Sequence, residues 1–282
     1  MRKVSLYLHP ILTLGTVTFL TGCLSQSEPA AVKLTHGVDA SAGGDPAYIV
    51  ITPAATYYLE KTGGGLSSMI DKDGVDWLGF HKEKGSGHKG EYRGFPNAVH
   101  RQDGNYFHAM NAGTDPSTSV VETDSSDHVR IIVTSDNKQW EGQYDFYPQR
   151  LDFTMRKVSA GYKYWVQYEG VPGGTMDRTD FRYSSADPER HLIDEEFIGD
   201  LPGPEWTAFG DPNSPRMIYM LQHEDDTQPN DYVSRPDMTV LGFGRRNKDK
   251  FLTTPHRFSI GFVEKTSYVD VKKAIEDIVN VR

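Results

Sequence analysis

Apolar and polar residues alternate along most of the chain, which is the pattern of β-strands that bury one face. Leu151, Phe153 and Met155, for example, alternate with polar or charged residues. Further strands are predicted at 47–51, 56–60, 75–80, 129–134, 162–168, 217–222 and 258–263. Many strands without alternating helices predict an all-β fold, a large antiparallel β-sandwich.

The segment Asp71-Lys72-Asp73-Gly74 lies between two short apolar runs and predicts a hairpin turn. Asp-Gly is typical of such turns because both residues accept the positive φ angles that tight turns require. We therefore expect residues 69–70 and 75–77 to pair.

The C-terminus predicts a short helix, since its apolar residues follow the spacing i, i+3, i+4 and i+7. These residues are Val271, Ala274, Ile275 and Ile278. Ser267 or Asp270 is the predicted N-cap of this helix. The three segments 81–116, 170–215 and 223–237 show neither pattern, and we expect them to form long loops that rim a cleft.

The first 23 residues have the organisation of a secretory signal peptide. Arg2 and Lys3 precede an apolar stretch, which ends in Leu20-Thr21-Gly22-Cys23. This ending resembles the lipobox of bacterial lipoproteins and implies that Cys23 becomes the lipidated first residue. We predict a signal peptide at 1–23, a flexible tether at 24–45 and one β-sandwich domain at 46–282. Leu24, instead of Asp, indicates anchoring to the outer membrane.

Composition narrows the range of partners. The chain has 30 Lys and Arg against 39 Asp and Glu, a net charge of −9, which argues against nucleic-acid binding. A single Cys cannot build a disulfide framework or a zinc-cysteine site. The membrane is expected to be a partner only through the lipid anchor.

Residues 81–101 are locally basic, with five Lys or Arg against two Glu, a net charge of +3. In an acidic protein this favours an anionic ligand. An Arg fork and an Asn amide can hold a carboxylate or sulfate, and Tyr or His can transfer a proton. The candidate site residues in and just after this segment are Tyr92, Arg93, Asn97, His100, Tyr106 and His108.

A second group of candidates is acidic. Glu169 ends a predicted strand, and His223 precedes Glu224, Asp225 and Asp226. A strand-end carboxylate paired with His223 could work as a general acid and base, or the carboxylates could bind Ca²⁺ together with Asp231. Because the spacing matches neither an EF-hand nor a zinc helix, a solvated acidic loop remains the alternative.

Two stretches, 57–97 and 140–174, resemble β-sandwich domains of the galactose-mutarotase-like superfamily, which are called supersandwich domains. The segments that carry the resemblance are Gly63–Ser68, Asp71–Gly74, Asp76-Trp77, Arg93–Asn97, Phe146-Tyr147-Pro148 and Tyr168-Glu169-Gly170. Such domains occur in aldose epimerases, polysaccharide lyases and some glycoside hydrolases. The resemblance implies a sugar ligand without selecting the reaction.

A polysaccharide lyase that acts on a uronic acid neutralises the sugar carboxylate, removes the C5 proton and protonates the leaving oxygen. The candidates for these three roles are, in that order, Arg93 and Asn97, Tyr92 or His100, and Tyr106 or His108. An epimerase or hydrolase would use Glu169 or Asp225 with His223 or a second carboxylate. The third alternative is a lipoprotein that binds a glycan without catalysis.

Overall fold

The computed structural model describes residues 31–40, 43–81 and 93–280. The strands are, in chain order, β1 (Lys33–Asp39), β2 (Asp45–Ile51), β3 (Ala55–Glu60), β4 (Leu66–Asp71), β5 (Ser117–Asp124), β6 (Val129–Ser135), β7 (Trp140–Phe146), β8 (Arg150–Val158), β9 (Val166–Gly170), β10 (Phe181–Ser184), β11 (Asp187–Leu192), β12 (Phe197–Gly199), β13 (Glu205–Gly210), β14 (Met217–Gln222), β15 (Asn230–Arg235), β16 (Met238–Phe243), β17 (Arg245–Arg246), β18 (Asp249–Lys250) and β19 (Arg257–Val263). The helix α1 (Tyr268–Asn280) follows them. The predicted all-β class with a C-terminal helix is confirmed.

The strands form antiparallel sheets. A nine-stranded sheet has the order β11-β10-β13-β14-β19-β8-β7-β6-β5, and two four-stranded sheets have the orders β1-β2-β3-β4 and β12-β15-β16-β9. The strands β17 and β18 make a small hairpin. One continuous hydrophobic core contains residues from all three larger sheets, so both four-stranded sheets pack on one face of the nine-stranded sheet. This is a sandwich arrangement.

Alternation explains how the core forms. In β6 the side chains of Val129, Ile131 and Val133 are buried, and those between them are half-buried. In β13 and β14 every residue is buried, because the core covers one face and α1 covers the other. Val271 and Ile275 of α1 pack on this outer face.

The predicted helix and its N-cap are confirmed. The backbone N–H of Asp270 donates to Ser267 Oγ at 3.2 Å, and Ser267 Oγ donates in turn to Asp270 Oδ2. Ser267 is therefore the cap, and it satisfies an otherwise unpaired donor of the first turn. No helix in the described part of the chain has the length and apolar character needed to span a membrane.

Several predicted boundaries were wrong. Residues 33–39, placed in a tether, form β1, which pairs with β2 along its whole length. Residues 75–80 contribute only a single bridge, Asp76 to Ile70, although the turn before them is present. The supposed loops 170–215 and 223–237 contain β10, β11, β12, β13 and β15. Strands such as β11 are mostly exposed and polar, so they carry no apolar alternation to reveal them. The predicted signal peptide and Cys23 lie outside the described residues.

A buried ion-pair cluster ties the 71–74 turn to the nine-stranded sheet. Arg216 is 1% exposed and donates to the carboxylates of Asp71 and Asp73, and to Glu264 at 3.0 Å. Asp71 also accepts from Trp77 Nε1 at 3.0 Å. The turn predicted from the Asp-Gly pair is therefore fixed by its own first carboxylate and by an arginine distant in sequence.

Replacing Arg216 by Ala should lower the free energy of unfolding by about 3–5 kcal/mol, because Asp71 then keeps a buried charge without its partner. Urea unfolding measures this loss. The control is Arg156→Ala, which breaks the more exposed pair with Glu141 (3.2 Å) and should cost about 0–1 kcal/mol. Equal effects of the two substitutions would contradict the structural role of Arg216.

Candidate functional site

The candidate site is built on β9, which lies between β16 and an extended segment at 94–98. Gly94 and Glu169 exchange two backbone hydrogen bonds of 2.7 and 3.0 Å, and the N–H of Gln167 donates to Pro96 O at 2.7 Å. On the other side, Glu169 lies opposite Val240 in β16. Tyr168 points into the main core, so Trp165, Gln167 and Glu169 share the opposite face of the strand.

Glu169 is the central group of this face and is 5% exposed. Its Oε2 accepts a hydrogen bond of 2.6 Å from Asn97 Nδ2, and its Oε1 accepts one of 3.0 Å from Gln167 Nε2. Burial raises the pKa of Glu169 to about 7, although the two amides and the charges of Arg245 and Arg235 oppose the shift. A carboxyl with this pKa can both take and give a proton near neutral pH.

Asn97 is held by its backbone as well as by its side chain. Its φ angle is 41°, in the left-handed region that asparagine tolerates better than most residues. Its carbonyl accepts from Trp165 Nε1 at 2.8 Å, and its N–H donates to Phe107 O at 3.1 Å. The amide that bonds Glu169 is therefore fixed in place before any ligand arrives.

Cationic and aromatic groups surround Trp165, which lies on the same face as Gln167 and Glu169. Trp165 stacks on His100, with 5.9 Å between the two ring centroids. Lys250 Nζ lies 4.6 Å and the Arg245 guanidinium carbon 5.5 Å from the centroid of the Trp165 ring. Burial, together with Arg101 and Lys250, lowers the pKa of His100 to about 4, so its imidazole is neutral at pH 7. The same burial and cations make this imidazole a weak base, because they oppose its protonation.

Arg245 is positioned by the close packing of its side-chain stem on Gly242 and by a hydrogen bond to Asp231. Its stem lies directly over Gly242, where a Cβ would come within 2.4 Å of Arg245 Cδ. Its Nη1 donates to Asp231 Oδ1 at 2.6 Å, and Asn247 N–H donates to the other oxygen at 2.7 Å. Asp231 belongs to neither of the groups of metal-ligating side chains found among the described residues, so the suggested Ca²⁺ site at Asp231 does not form there.

The structure brings together only some of the predicted residues. Tyr92 lies outside the described residues. Arg93 is half-buried, and its guanidinium donates to the backbone carbonyls of Gly79 (3.2 Å) and Asp237 (2.5 Å), so it joins two loops. Asn97, His100 and Glu169 come together, since Asn97 bonds both Glu169 and Trp165, and His100 stacks on Trp165.

Tyr106 and His108 have structural partners. Tyr106 is 3% exposed and donates to Asp136 Oδ1 at 2.7 Å; burial and this carboxylate raise its pKa. His108 Nδ1 accepts from Met110 N–H at 3.1 Å and so caps a 3₁₀ turn at Ala109–Gly113. The hydroxyl of Tyr106 is therefore held by Asp136 in a buried contact, and its role as catalytic acid stays a prediction.

The predicted pairing of Glu169 with His223 does not form. His223 follows β14 on the outer face of the nine-stranded sheet, where its Nε2 lies 2.7 Å from Ser259 Oγ and its Nδ1 accepts from Arg257 at 3.0 Å. Ser259 donates in turn to Asp152 at 2.6 Å. Burial and Arg257 lower the pKa of His223 to about 4. The main core separates this group from the face that carries Glu169.

Sequence reasoning missed Gln167, Arg245 and Lys250 as parts of the site. The signal for Arg245 was the glycine pair at 242 and 244, which lacks the third glycine of a dinucleotide loop. The structure gives one reason for these glycines, namely close approach of the Arg245 stem to Gly242 and of Leu252 to Gly244. Lys250 carried no pattern of its own.

No protein-family model matches the sequence, and no curated protein matches it. Among solved structures, the chain is similar to the crystal structure of HI1317, with a TM-score of 0.56 and 12% identity over 82% of this chain and 99% of that one. It also matches the active YidC insertase, with a TM-score of 0.46 and 12% identity over 89% of this chain and 45% of that one. At this identity the similarity to HI1317 is a similarity of fold alone.

Proposed function

We propose that the protein is an exported, lipid-anchored polysaccharide lyase that cleaves a uronic-acid-containing glycan by β-elimination, with Glu169 as the proton-transfer group. The observation that carries the proposal is the Glu169 carboxyl, buried, held by two amides and with a pKa of about 7. Perturbed carboxyls of this kind are typical of catalytic acids and bases. The carbohydrate part rests on the resemblance of the two sequence stretches to supersandwich domains.

The positive charges near Trp165 favour an anionic substrate. Lys250, which lies over Trp165, also lines an open cavity of about 370 Å³ together with Lys163, Lys248 and a single acidic residue, Asp249. Three lysines in one cavity of an acidic protein attract a polyanion and raise its local concentration. We therefore place the uronate carboxylate near Lys250 and Arg245.

The reaction needs few groups. The cations neutralise the sugar carboxylate, which acidifies the C5 proton. The Glu169 carboxylate takes that proton, the C5–H electrons form the C4=C5 double bond, and the C4–O4 bond breaks. The leaving oxygen then takes a proton from the Glu169 carboxylic acid, so that the group returns to its ionised form. Asn97 and Gln167 are positioning residues that hold the carboxyl. His100 is the alternative acceptor of the C5 proton, and its low pKa makes it the weaker base of the two.

A glycan panel tests the proposal. The purified protein is incubated with alginate, ulvan, pectin, glucuronan and glycosaminoglycans, and the ultraviolet absorbance of the unsaturated uronate is followed. A rise on one glycan supports β-elimination. No rise on any glycan contradicts it; retarded migration in gels that contain the same glycans would then indicate binding without catalysis, which is the second candidate function.

Lys250→Ala should raise KM for the active glycan by about tenfold and weaken its dependence on salt, since one cation–anion contact is lost. The control is Lys272→Ala, which removes an exposed lysine of α1 and should leave KM unchanged. Initial rates measured over a range of substrate and NaCl concentrations give both quantities. An unchanged KM in Lys250→Ala would show that the substrate does not bind at the lysine cavity.

A further inference from the structure

Three aspartates meet where β10 begins and β13 ends. Phe181 and Gly210 are register partners, so the residues just outside them, Asp180 and Asp211, are neighbours. With Asp177, they place one carboxylate oxygen each within 4.8 Å of the other two. Oxygens that bind one Ca²⁺ at 2.3–2.6 Å lie at most about 5 Å apart, so this spacing fits a single ion.

The surrounding backbone holds these carboxylates in place. Asp211 Oδ1 accepts from Asn213 N–H at 2.7 Å, and Asp177 Oδ1 accepts from Thr179 N–H at 2.7 Å. Gly173 has a φ of +62° and lies so close to Asp211 that a Cβ would come within 2.1 Å of its Oδ2. Only glycine leaves the Asp211 carboxylate room in this position.

Asp180 supplies a second, independent observation. Its side chain is fully buried; Oδ2 accepts from Asp177 N–H at 3.0 Å, whereas Oδ1 has no hydrogen-bond partner among the described residues. An unsatisfied, buried carboxylate oxygen beside two other carboxylates is costly unless a cation or a proton is bound there.

We propose that Asp177, Asp180 and Asp211 form a Ca²⁺ site that fastens the Pro172–Gly174 turn and the start of β10 to the end of β13. Three carboxylates are oxygen ligands of the kind that Ca²⁺ prefers, and exposed Asp177 leaves room for water to complete the coordination. The same turn follows Glu169 by a few residues, so the ion would stiffen the chain that leaves the candidate active site. The Ca²⁺ site stands independently of the lyase proposal.

The other acidic cluster of the described residues, Asp187, Glu189 and His191, has no comparable feature. Both ring nitrogens of His191 are already 3.0 Å from carboxylates, one of Asp187 and one of Glu195. This cluster is a satisfied ion-pair group on a mostly exposed strand. It therefore provides the matched control.

Calorimetric titration of the EDTA-stripped protein with CaCl₂ tests the site, together with thermal melts in EDTA and in CaCl₂. We expect one-site binding and a higher Tm in Ca²⁺. Asp180→Asn should weaken binding at least tenfold, and Asp177→Asn, at an exposed position, should weaken it as well. Asp187→Asn should bind as the wild type does.

Absence of binding and of a Tm shift in the wild type would overturn the proposal and leave a proton as the counter-charge of Asp180. Equal binding by the wild type and by both the Asp177 and Asp180 variants would overturn it too. Loss of binding only in Asp187→Asn would overturn it as well and would show that the ion binds at Asp187, Glu189 and His191 instead. Melts in EDTA show whether the Asp180 variant still folds cooperatively.

Discussion

Glu169→Gln is expected to reduce turnover of the active glycan by about 10²- to 10⁴-fold, the usual effect of removing a general acid or base. The substitution keeps the size and shape of the side chain, and the Asn97 amide can still donate to the new carbonyl. Gln167 Oε1, which has no partner among the described residues, can accept from the new amide if the Gln167 amide turns over. The loss should therefore fall on kcat, with KM nearly unchanged.

The matched control for this experiment is Glu205→Gln. Glu205 is also fully buried, and burial raises its pKa to about 7 as well. Its oxygens accept from Asn230 Nδ2 at 2.5 Å and from Asp226 N–H at 3.1 Å, an arrangement of the same chemical type as that of Glu169. It lies at the start of β13 and is not among the residues that line the lysine cavity. The control should retain the activity of the wild type within about threefold.

Comparing Glu169→Gln with Glu205→Gln distinguishes a catalytic role of the carboxyl from the general effect of removing a buried carboxyl. Equal, large losses in the two variants would mean that both carboxyls support the fold and that neither transfers the proton. Full activity in Glu169→Gln would exclude Glu169 as the catalytic group and direct attention to His100, which stacks on Trp165. The ultraviolet assay on the active glycan distinguishes these outcomes directly.

The fold class was predictable because strands that bury one face must alternate. Strands β6 and β8 and helix α1 follow this rule, and their patterns are visible in the sequence. The rule is silent where a strand is buried on both faces or on neither. Strand β13 is buried throughout, and β11 is mostly exposed, so both were assigned to loops.

The candidate site was half predictable. Glu169 and Asn97 were identified by type and position, but their contact joins residues 72 positions apart, and no spacing rule yields it. The contribution of Arg245 depends on its stem crossing Gly242, which is a property of three-dimensional packing. His223 and Tyr106 were chemically suitable residues. Only the structure shows that His223 lies on the outer face of the nine-stranded sheet and that Tyr106 donates a hydrogen bond to Asp136.

The raised pKa of Glu169 also predicts how stability changes with pH. The unfolded state titrates near 4.5 and the folded state near 7. Below pH 4.5 both states hold the proton; between the two values only the folded state does, so stability falls as pH rises. The total loss from this group is about 3 kcal/mol, complete above pH 7.

Glu169→Gln removes this loss. Its free energy of unfolding minus that of the wild type should therefore increase by about 3 kcal/mol between pH 4 and pH 8. Urea unfolding at several pH values measures the difference, in which contributions from Glu205 and Asp180 cancel because both proteins carry them. A difference that does not change with pH would contradict the raised pKa.

The Glu205→Gln control shows whether the pH dependence of stability at Glu169 is related to catalysis. Glu205→Gln should show a rise in stability of the same sign, because that carboxyl has a similarly raised pKa. If both variants gain stability at high pH but only Glu169→Gln loses turnover, the protein keeps a destabilising ionised carboxyl at position 169 for its chemistry. That combination is expected of a catalytic group, whose presence costs stability at the pH at which it works.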